Sequence, residues 1–294
     1  MMEDAALHEA TEIFTQVRPQ LFGIAYRMLG SVSDAEDLLQ EVWLRWQAVD
    51  RTTVMNPAAY LSTATARLAI NATKTAYARH ETYIGPWLPE PVDTSADPQL
   101  GAERGAALEF AVLMLMEKLS PHERAAYVLR EAFAYPYRQI AEIVQTTEVT
   151  ARQWVSRARK RLAADRRTPV APSEQRRLLD GFLAAAQAGD LAGLEELLAD
   201  EVISYSDSGG TSSNASRVPL YGAATVAAAV VGFAAKVWHD VSAEPVTVNG
   251  QHALRLRQDG EVFALLTVDA SDNGITQVLW QVNPAKIKGA GSWI

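Results

Sequence analysis

The sequence predicts a multidomain chain in which two all-α domains precede an α+β domain with a curved antiparallel sheet. Apolar residues recur at helical spacing through the first half, and a proline-rich stretch interrupts that pattern. Beyond residue 174, short β-rich runs are separated by Asn-Gly and Asp-Gly turns. The predicted boundaries are 1–80, 81–102 for the linker, 103–166 and 174–294.

The charge of this 294-residue chain is unevenly distributed. Its formal net charge is -8, yet residues 150–167 hold seven Arg or Lys against one acid, whereas residues 168–294 hold eight bases against fourteen acids. A local basic face can still attract DNA, although the long-range field of the whole molecule does not help it.

Composition also excludes several kinds of site. No cysteine occurs, so disulfides and thiolate metal sites are excluded, and we expect neither a metal nor a cofactor. The longest nearly apolar run, 223–235, is too short to span a bilayer, and the N-terminus lacks a signal-peptide pattern. These features predict a cytoplasmic chain without a membrane partner, monomeric when free.

The first domain reads as three helices. Gly30 follows the first helix at the position of a C-terminal cap. Ser33 and Glu36 have the spacing of a capping box for the second helix, whose inner stripe is Ala35, Leu38, Val42 and Trp46. Asn56 before Pro57 predicts the start of the third helix, which runs to about residue 79.

The linker is apolar as well as proline-rich. Trp87 and Leu88 lie among four prolines, and a solvated spacer gains nothing from an exposed Trp. We therefore expect the WLPEP segment, 87–91, to dock on another domain or on a partner.

A helix is predicted at 103–118, and a second begins after Ser120, which forms a capping box with Glu123. The stretch 137–162 then has the pattern of a helix-turn-helix. Thr147 is the predicted N-cap of the second helix, whose start can reach base edges in the major groove. A solvated amphipathic helix is the alternative for its basic face. The predicted buried residues are Ala151, Val155, Ala158 and Leu162, and the outer residues are Arg152, Gln153, Ser156, Arg157, Arg159 and Lys160.

The last domain combines helices and a meander. Helices are predicted at 174–188, 191–199 and 223–236, and strands in the runs VISYS, PVTV, HALRLR, VFALLTV and ITQVLWQV. The predicted hairpin turns are Asn249-Gly250, Asp259-Gly260 and Asn273-Gly274.

The order of these parts resembles a known family. The DAEDLLQEVWLRW helix, the NPAAYLSTATARLAIN helix, the acidic proline-rich linker, LSPHERAAYVLRE and the IAEI helix-turn-helix ending in RARKRL occur in that order. Over about residues 10–165 the chain resembles the extracytoplasmic-function group of sigma-70 factors. The C-terminal part resembles a SnoaL-like domain of the NTF2-type fold, as in sigma factors of the sigma-J type.

The resemblance implies that core RNA polymerase, through its β′ clamp helices and β flap, and promoter DNA are the partners. The implied polymerase-binding residues are Asp34, Asp37, Leu38, Leu39, Gln40 and Glu41, although a capped helix with a solvated acidic face is the alternative. The third helix corresponds to the −10 reader and is less basic than is common in the family; its candidates are Asn71, Lys74, Thr75, Tyr77 and Arg79. The implied −35 contacts are Thr150, Arg152, Gln153, Ser156, Arg157, Arg159 and Lys160.

Three short motifs of the linker and the C-terminal domain also look like those of the subgroup: WLPEP at 87–91, NPAKI at 283–287 and, with a departure at Ser208, DSGG at 207–210. We expect the C-terminal domain to regulate the sigma domains through them. The predicted regulatory contacts are Trp87, Leu88, Pro89, Asp207, Asn283, Pro284 and Lys286.

NTF2-type folds commonly enclose a pocket that could take a small-molecule ligand. The residues expected to face such a pocket are Tyr205, Asp207, Trp238, His239, Asp240 and Trp280. They form no catalytic constellation, since adjacent residues such as His239 and Asp240 cannot share a face of a helix or strand, so we expect no enzyme activity and assign no catalytic residue.

Two other functions fit parts of the chain. A ligand-responsive helix-turn-helix regulator would explain residues 103–294 but leaves the first 80 without a purpose. A SnoaL-like enzyme with a DNA-binding appendage would explain only the pocket. A sigma factor modulated by its own C-terminal domain accounts for every segment.

Overall fold

The computed structural model describes residues 2–81, 83–94, 109–165, 168–212, 215–237 and 241–287. These residues form two compact units, with a boundary inside the helix that starts at Phe110. The first unit contains 2–81 and 112–165, and the second contains 83–94, 109–111 and 168–287. The described part of the predicted linker therefore belongs to the same unit as the C-terminal domain.

The first unit is helical. A 3-10 turn, Arg51–Thr53, lies between its second and third helices. Its helices are α1 (Met2–Leu29), α2 (Val32–Ala48), α3 (Pro57–Glu81), α4 (Phe110–Met116, from residue 112 onward), α5 (Pro121–Glu131), α6 (Tyr137–Ile143) and α7 (Glu148–Asp165).

The predicted helix caps are mostly confirmed. Gly30, at a φ of 66°, ends α1 and donates its N–H to the Tyr26 carbonyl at 2.7 Å. The capping box expected at Ser33 is wrong, because α2 begins two residues earlier and the Ser31 hydroxyl accepts the Asp34 N–H at 3.2 Å. Asn56 caps α3 through its Oδ1, which accepts the Ala59 N–H at 3.0 Å.

The predicted inner stripe of α2 is buried, and Trp46 is its largest member. The indole N–H of Trp46 donates to the Ala10 carbonyl at 3.2 Å, so this fully buried ring leaves no polar atom unsatisfied. The stripe thus fixes α2 against α1 and leaves the acidic side of α2 facing outward.

The two helical segments predicted as separate domains pack together within the first unit. Arg67 of α3 donates from Nε to the Ile143 carbonyl and from Nη2 to the Glu142 carbonyl, both at 3.0 Å. These carbonyls end α6, where a cation is favoured by the helix dipole. Arg124 of α5 similarly donates from Nε to the Arg27 carbonyl of α1 at 3.0 Å.

The helix-turn-helix is confirmed as α6 and α7. Ser120 and Glu123 form the predicted capping box of α5, and the Thr147 hydroxyl accepts the Thr150 N–H at 3.2 Å to start α7. The turn requires a left-handed residue, and Gln145 takes that conformation with a φ of 57°. The predicted inner residues of α7 are buried: Ala151, Val155, Ala158 and Leu162.

The second unit is an α+β domain. Its strands form a six-stranded sheet in the order β2-β1-β6-β5-β4-β3. The elements are α8 (Pro172–Ala188), α9 (Leu191–Leu197), β1 (Leu198–Asp207), β2 (Leu220–Tyr221), α10 (Ala223–Val237), β3 (Ser242–Val248), β4 (Gln251–Gln258), β5 (Glu261–Ser271), β6 (Gly274–Gln281) and α11 (Pro284–Ile287).

The predicted antiparallel meander is confirmed for β3 to β6, but β1 pairs with β6 in parallel. Alternation and turn residues predict which consecutive strands pair, whereas β1 and β6 are distant in sequence and carry no such signal. The sheet is therefore mixed.

Two of the three predicted turns are confirmed in place. Asn249-Gly250 and Asp259-Gly260 both have positive φ, as a two-residue hairpin turn requires. The third prediction is wrong by one residue, because the turn is Asp272-Asn273 and Gly274 starts β6 with a φ of 103°. A Cβ at Gly274 would lie 2.7 Å from the Leu197 carbonyl oxygen, so the close approach of α9 requires glycine there.

The two faces of the sheet have different neighbours. Phe182 of α8 and Val226 of α10 share a core with Trp280 of β6 on one face. On the other face, Leu279 lies beside Leu88 of the linker. None of the described helices is both long and apolar enough to cross a membrane.

Candidate functional site

The basic face of α7 is solvent exposed, but its guanidinium groups are paired with acids of the same unit. Arg152 lies 2.6 Å from Glu148, Arg159 lies 2.6 Å from Glu131, and Arg157 lies 3.2 Å from Glu123. Ion pairs this exposed on the arginine side contribute about 0–1 kcal/mol, so phosphates can replace the acids at little cost. The exposed predicted residues are Arg152, Gln153, Ser156, Arg157, Arg159 and Lys160, and Thr150 is half-buried.

Part of the predicted −10 set lies on one outer face of α3. Asn71, Lys74 and Thr75 are exposed at a spacing of three and four residues, which places them side by side on the helix. The side chains of Tyr77 and Arg79 lie outside the described residues.

The predicted polymerase-binding residues of α2 divide into an outer and an inner group. Asp37, Gln40 and Glu41 are exposed and Asp34 is half-buried. Leu38 and Leu39 are buried in the helical core, where they position the helix, and their contact with a partner stays a prediction.

A groove beside this acidic face was not predicted. The rings of Phe14 and Trp43 lie 5.1 Å apart and line it together with Asp37 and Gln40, in a volume of about 310 Å³. Trp43 lies off the inner stripe of α2, and this position was the available signal.

In the second unit, six residues bind the linker to the sheet, and we call them the clasp: Tyr83, Trp87, Leu88, Asp207, Asn283 and Lys286. Asp207, at the end of β1, is fully buried. Its carboxylate accepts the Tyr83 hydroxyl at 2.5 Å, the Leu88 N–H at 2.9 Å and the Lys286 ammonium at 2.7 Å. Two linker groups and one cation of α11 therefore converge on one carboxylate.

Lys286 completes the clasp from α11. Its ammonium also donates to the Leu88 carbonyl at 2.5 Å and lies 4.6 Å from the centre of the Trp87 ring, a cation–π contact. Burial lowers the pKa of Lys286, and the Asp207 charge opposes this effect. The charge is therefore held in a nearly dry site by its partners.

Tyr83 is held in its neutral, donating form. Burial, followed by the hydrogen bond to Asp207, raises the pKa of Tyr83 well above its ordinary value. Its hydroxyl oxygen in turn accepts the Asn283 Nδ2 group at 2.8 Å. Gly209, at a φ of 57°, lies against this pair, and a Cβ there would lie 2.7 Å from Asn283 Nδ2, so a side chain at this position of the DSGG loop would displace the Asn283 amide.

The linker beyond the clasp continues along the sheet. Val92 and Asn249 exchange two hydrogen bonds, one through the Asn249 side chain at 2.9 Å and one through its N–H at 2.8 Å. Thr94 donates its N–H to the Thr247 carbonyl at 3.1 Å, and Gln281 donates to the Pro89 carbonyl at 3.3 Å. The described linker is thus fixed at both ends.

The structure brings six of the seven predicted regulatory residues to the clasp or its edge, whereas Pro284 faces a cavity on the other side of α11. Tyr83 and Asn249 were missed. Tyr83 precedes the WLPEP segment and carried no pattern of its own, and Asn249 was read only as a turn residue.

The cavity lies on the helix-covered side of the sheet and has a volume of about 820 Å³. Trp280 lines it, as predicted. The prediction that Tyr205 and Asp207 face it is wrong, because Ser204 and Ser206 take that side of β1 and alternation turns their neighbours away. Trp238, His239 and Asp240 lie outside the described residues.

Comparison with known proteins agrees with this arrangement. A model of sigma-70 region 2 matches residues 13–79, and a model of sigma-70 region 4 matches residues 109–162. The ECF RNA polymerase sigma factor SigJ of Mycobacterium tuberculosis is 38% identical over 209 residues, which cover 69% of this chain and 67% of SigJ. This chain is an ECF sigma-70 factor.

Two further similarities support the assignment of this sigma factor. The probable ECF sigma factor SigI of Mycobacterium tuberculosis is 32% identical over 185 residues, 62% of this chain and 64% of SigI. The crystal structure of Mycobacterium tuberculosis SigJ matches with a TM-score of 0.75 and 30% identity over 96% of this chain and 99% of that one. The SnoaL-like reading of the C-terminal domain fits that structure.

As a member of its family, the sigma factor binds core RNA polymerase and directs promoter recognition. The region 2 match contains α2 and most of α3, and the region 4 match contains α6 and most of α7. Gln145, the left-handed residue of the turn between α6 and α7, lies within the region 4 match.

Proposed function

We propose that this sigma factor limits its own access to RNA polymerase by docking its linker on its C-terminal domain. One observation supports this proposal above the others: the buried carboxylate of Asp207 is shared between Tyr83 and Leu88 of the linker and Lys286 of α11. Leu88 is 1% exposed, and burial of a leucine side chain stabilises by roughly 1.5–3 kcal/mol.

Docking and transcription compete for the same residues. In the family the acidic linker is expected to thread into polymerase near the path of the RNA. Leu88, which is buried in the clasp, cannot contact polymerase at the same time. Docking therefore reduces the fraction of molecules that can bind polymerase, and the apparent affinity for polymerase falls in proportion to that fraction.

The packing within the helical unit also supports a free form that is not competent for transcription. The −10 and −35 elements lie about 25 base pairs apart, on the order of 85 Å along B-DNA. The −10 helix α3 and the −35 reader's α6 are joined directly by Arg67, whose Nε lies 3.0 Å from the Ile143 carbonyl. Reading both elements requires these helices to separate, so the free form is a resting form.

We assign the partner contacts as follows. Asp37, Gln40 and Glu41 form the acidic face that binds a basic polymerase helix, beside the groove of Phe14 and Trp43. The exposed α3 set, Asn71, Lys74 and Thr75, contacts the −10 region with Tyr77 and Arg79. The exposed residues of α7 contact the −35 region, with Arg152 and Gln153 at the end that reaches base edges.

Two deletions test the regulatory proposal. Removing residues from Asn283 onward takes away Asn283 and Lys286, and ending the chain after Pro172 takes away the whole sheet. Both should change run-off transcription with core polymerase, and the first should raise it because the linker is released while the sheet remains. Unaltered transcription from both variants would contradict the proposal.

A charge reversal tests the polymerase face separately. Asp37→Lys should abolish co-purification with core polymerase, whereas Glu196→Lys, an exposed reversal in the C-terminal unit, should not. A ligand-responsive regulator or an enzyme with a DNA-binding appendage need not bind core polymerase at all.

A further inference from the structure

The C-terminal domain contains a cavity that the docking of the linker does not use. It lies between α10 and the ends of β1 and β6, and its volume of about 820 Å³ is in the range of small-molecule sites, roughly 300–1,000 Å³. Its deeper wall is apolar and aromatic, formed by Val226, Val230, Phe233 and Trp280.

Two serines face this wall from β1. Ser204 is 4% exposed and Ser206 is half-buried, and both line the cavity. A hydroxyl in a mostly apolar wall favours a ligand that brings a hydrogen-bonding group of its own to the same place.

The charges around the cavity restrict the ligand further. Asp259 and Glu261 line its rim and are exposed, and the lining residues among those described include neither Lys nor Arg. An anion would therefore meet the like charges of Asp259 and Glu261 at the rim. We propose that the cavity binds an uncharged aromatic or polycyclic molecule that carries a hydroxyl or carbonyl group for Ser204.

The cavity and the clasp share two structural elements. Pro284 and Ile287 of α11 line the cavity, and Lys286 between them turns to Asp207 in the clasp. Ser206 of β1 lines the cavity, and the next residue is Asp207. A ligand pressing on α11 therefore shifts the support of Lys286 and loosens the linker; this coupling, unlike the binding itself, rests on the proposed function.

Nile red, an uncharged polycyclic dye with a carbonyl group, is the probe for binding. We expect saturable fluorescence enhancement with the full chain, and at least a ten-fold weaker Kd for Ala229→Trp, which places an indole at the cavity's exposed rim. Leu191→Trp, which adds the same ring at an exposed position outside the cavity, should leave the Kd unchanged. Ser204→Ala should weaken binding about three- to ten-fold, the loss of one hydrogen bond.

Equal dye binding by the wild type and Ala229→Trp, with both folded by circular dichroism, would overturn the site. The anionic dye 1-anilinonaphthalene-8-sulfonate tests the charge class: we expect it to bind more weakly and to gain affinity in the doubly neutralised Asp259→Asn, Glu261→Gln variant. Tight binding that this variant does not change would overturn the assignment to uncharged ligands.

Coupling is measured at the linker. The chain has no cysteine, so Val92→Cys introduces the only thiol, at a buried linker position. Saturating Nile red should speed alkylation of this thiol several-fold in the otherwise wild-type chain. Dye binding without a change in alkylation rate would overturn the coupling and leave the ligand site standing. If Lys286→Met also left the alkylation rate unchanged, the role assigned to the clasp would be wrong, and the assignment of the ligand site would not be affected.

Discussion

The clasp and the basic face of α7 both pair cations with carboxylates at similar distances but in opposite surroundings. Lys286 lies 2.7 Å from Asp207, with side-chain exposures of 10% and 0%. Arg152 lies 2.6 Å from Glu148, with exposures of 59% and 45%. The same chemistry is therefore buried in one unit and surrounded by water in the other.

In the proposed function, this difference separates a contact that holds the resting form from contacts that are available to a partner. Removing one partner of a buried pair costs about 3–5 kcal/mol, because the other charge is left unpaired. An exposed pair is worth about 0–1 kcal/mol and is weakened by salt. The basic face can exchange its acids for DNA phosphates readily, whereas the clasp opens only when something stronger replaces its contacts.

Lys286→Met should have the largest effect, because it leaves Asp207 buried without its cation. In the Val92→Cys background we expect the thiol to be alkylated on the order of 100-fold faster, corresponding to a loss of about 3 kcal/mol in docking. Arg177→Met, which breaks the exposed pair with Glu174, is the matched control and should leave the rate unchanged. A rate within two-fold of the parent in Lys286→Met would show that the buried pair does not hold the linker.

Gly209→Ala should have the next largest effect. The residue has a φ of 57°, and the new Cβ would lie 2.7 Å from Asn283 Nδ2, so both backbone strain and a contact oppose the clasp. We expect alkylation to rise about ten-fold or more. Gly189→Ala has a φ of 65° with open space around it, so it carries the same backbone cost of about 1–2 kcal/mol without the contact. Equal linker rates in the two variants would remove the role assigned to the DSGG loop.

Arg157→Ala tests the exposed side of the comparison through DNA. Loss of one phosphate contact should weaken promoter binding and reduce the salt slope, log K against log[salt], by about 0.9. Arg161 still lies 3.3 Å from Glu123, so folding should be little affected. Arg176→Ala, in an exposed pair of the C-terminal unit, is the control for a change of overall charge. An unchanged slope would exclude Arg157 from the interface.

Glu148→Gln should have the smallest effect on stability. It breaks the exposed pair with Arg152, so we expect the free energy of unfolding to change by less than about 1 kcal/mol in urea titrations. DNA binding should strengthen, because Arg152 loses a competing carboxylate. A stability loss of several kcal/mol would mean that the surface pairs hold the unit as the clasp pair does.

Local patterns predicted most of the fold. Helical stripes, the caps at Gly30, Asn56, Ser120 and Thr147, and two hairpin turns depend on residues within a few positions of each other. The parallel pairing of β1 with β6 depends on strands far apart in sequence and was not predictable from alternation. The shift from Ser33 to Ser31 at α2 arose because two serines within one turn offer the same hydroxyl.

The predictions of site residues also differ in how far they depend on local patterns. The exposed face of α7 follows from helical periodicity alone, and the DSGG and NPAKI segments were singled out by resemblance. The partner of Asp207 was not predictable, because residues 83 and 286 meet it only in three dimensions. Placing Asp207 in the cavity failed for a local reason: a one-residue change of register along β1 exchanges the two faces of the sheet.

We propose that release of the linker sets the amount of transcription. This proposal is tested most directly by run-off transcription with core polymerase for the wild type, Gly189→Ala, Gly209→Ala and Lys286→Met, each compared with its Val92→Cys alkylation rate. We expect transcription to rise in the same order as the rate of linker release, with Gly189→Ala equal to the wild type. Unchanged transcription in Lys286→Met, with its linker fully released, would contradict the account.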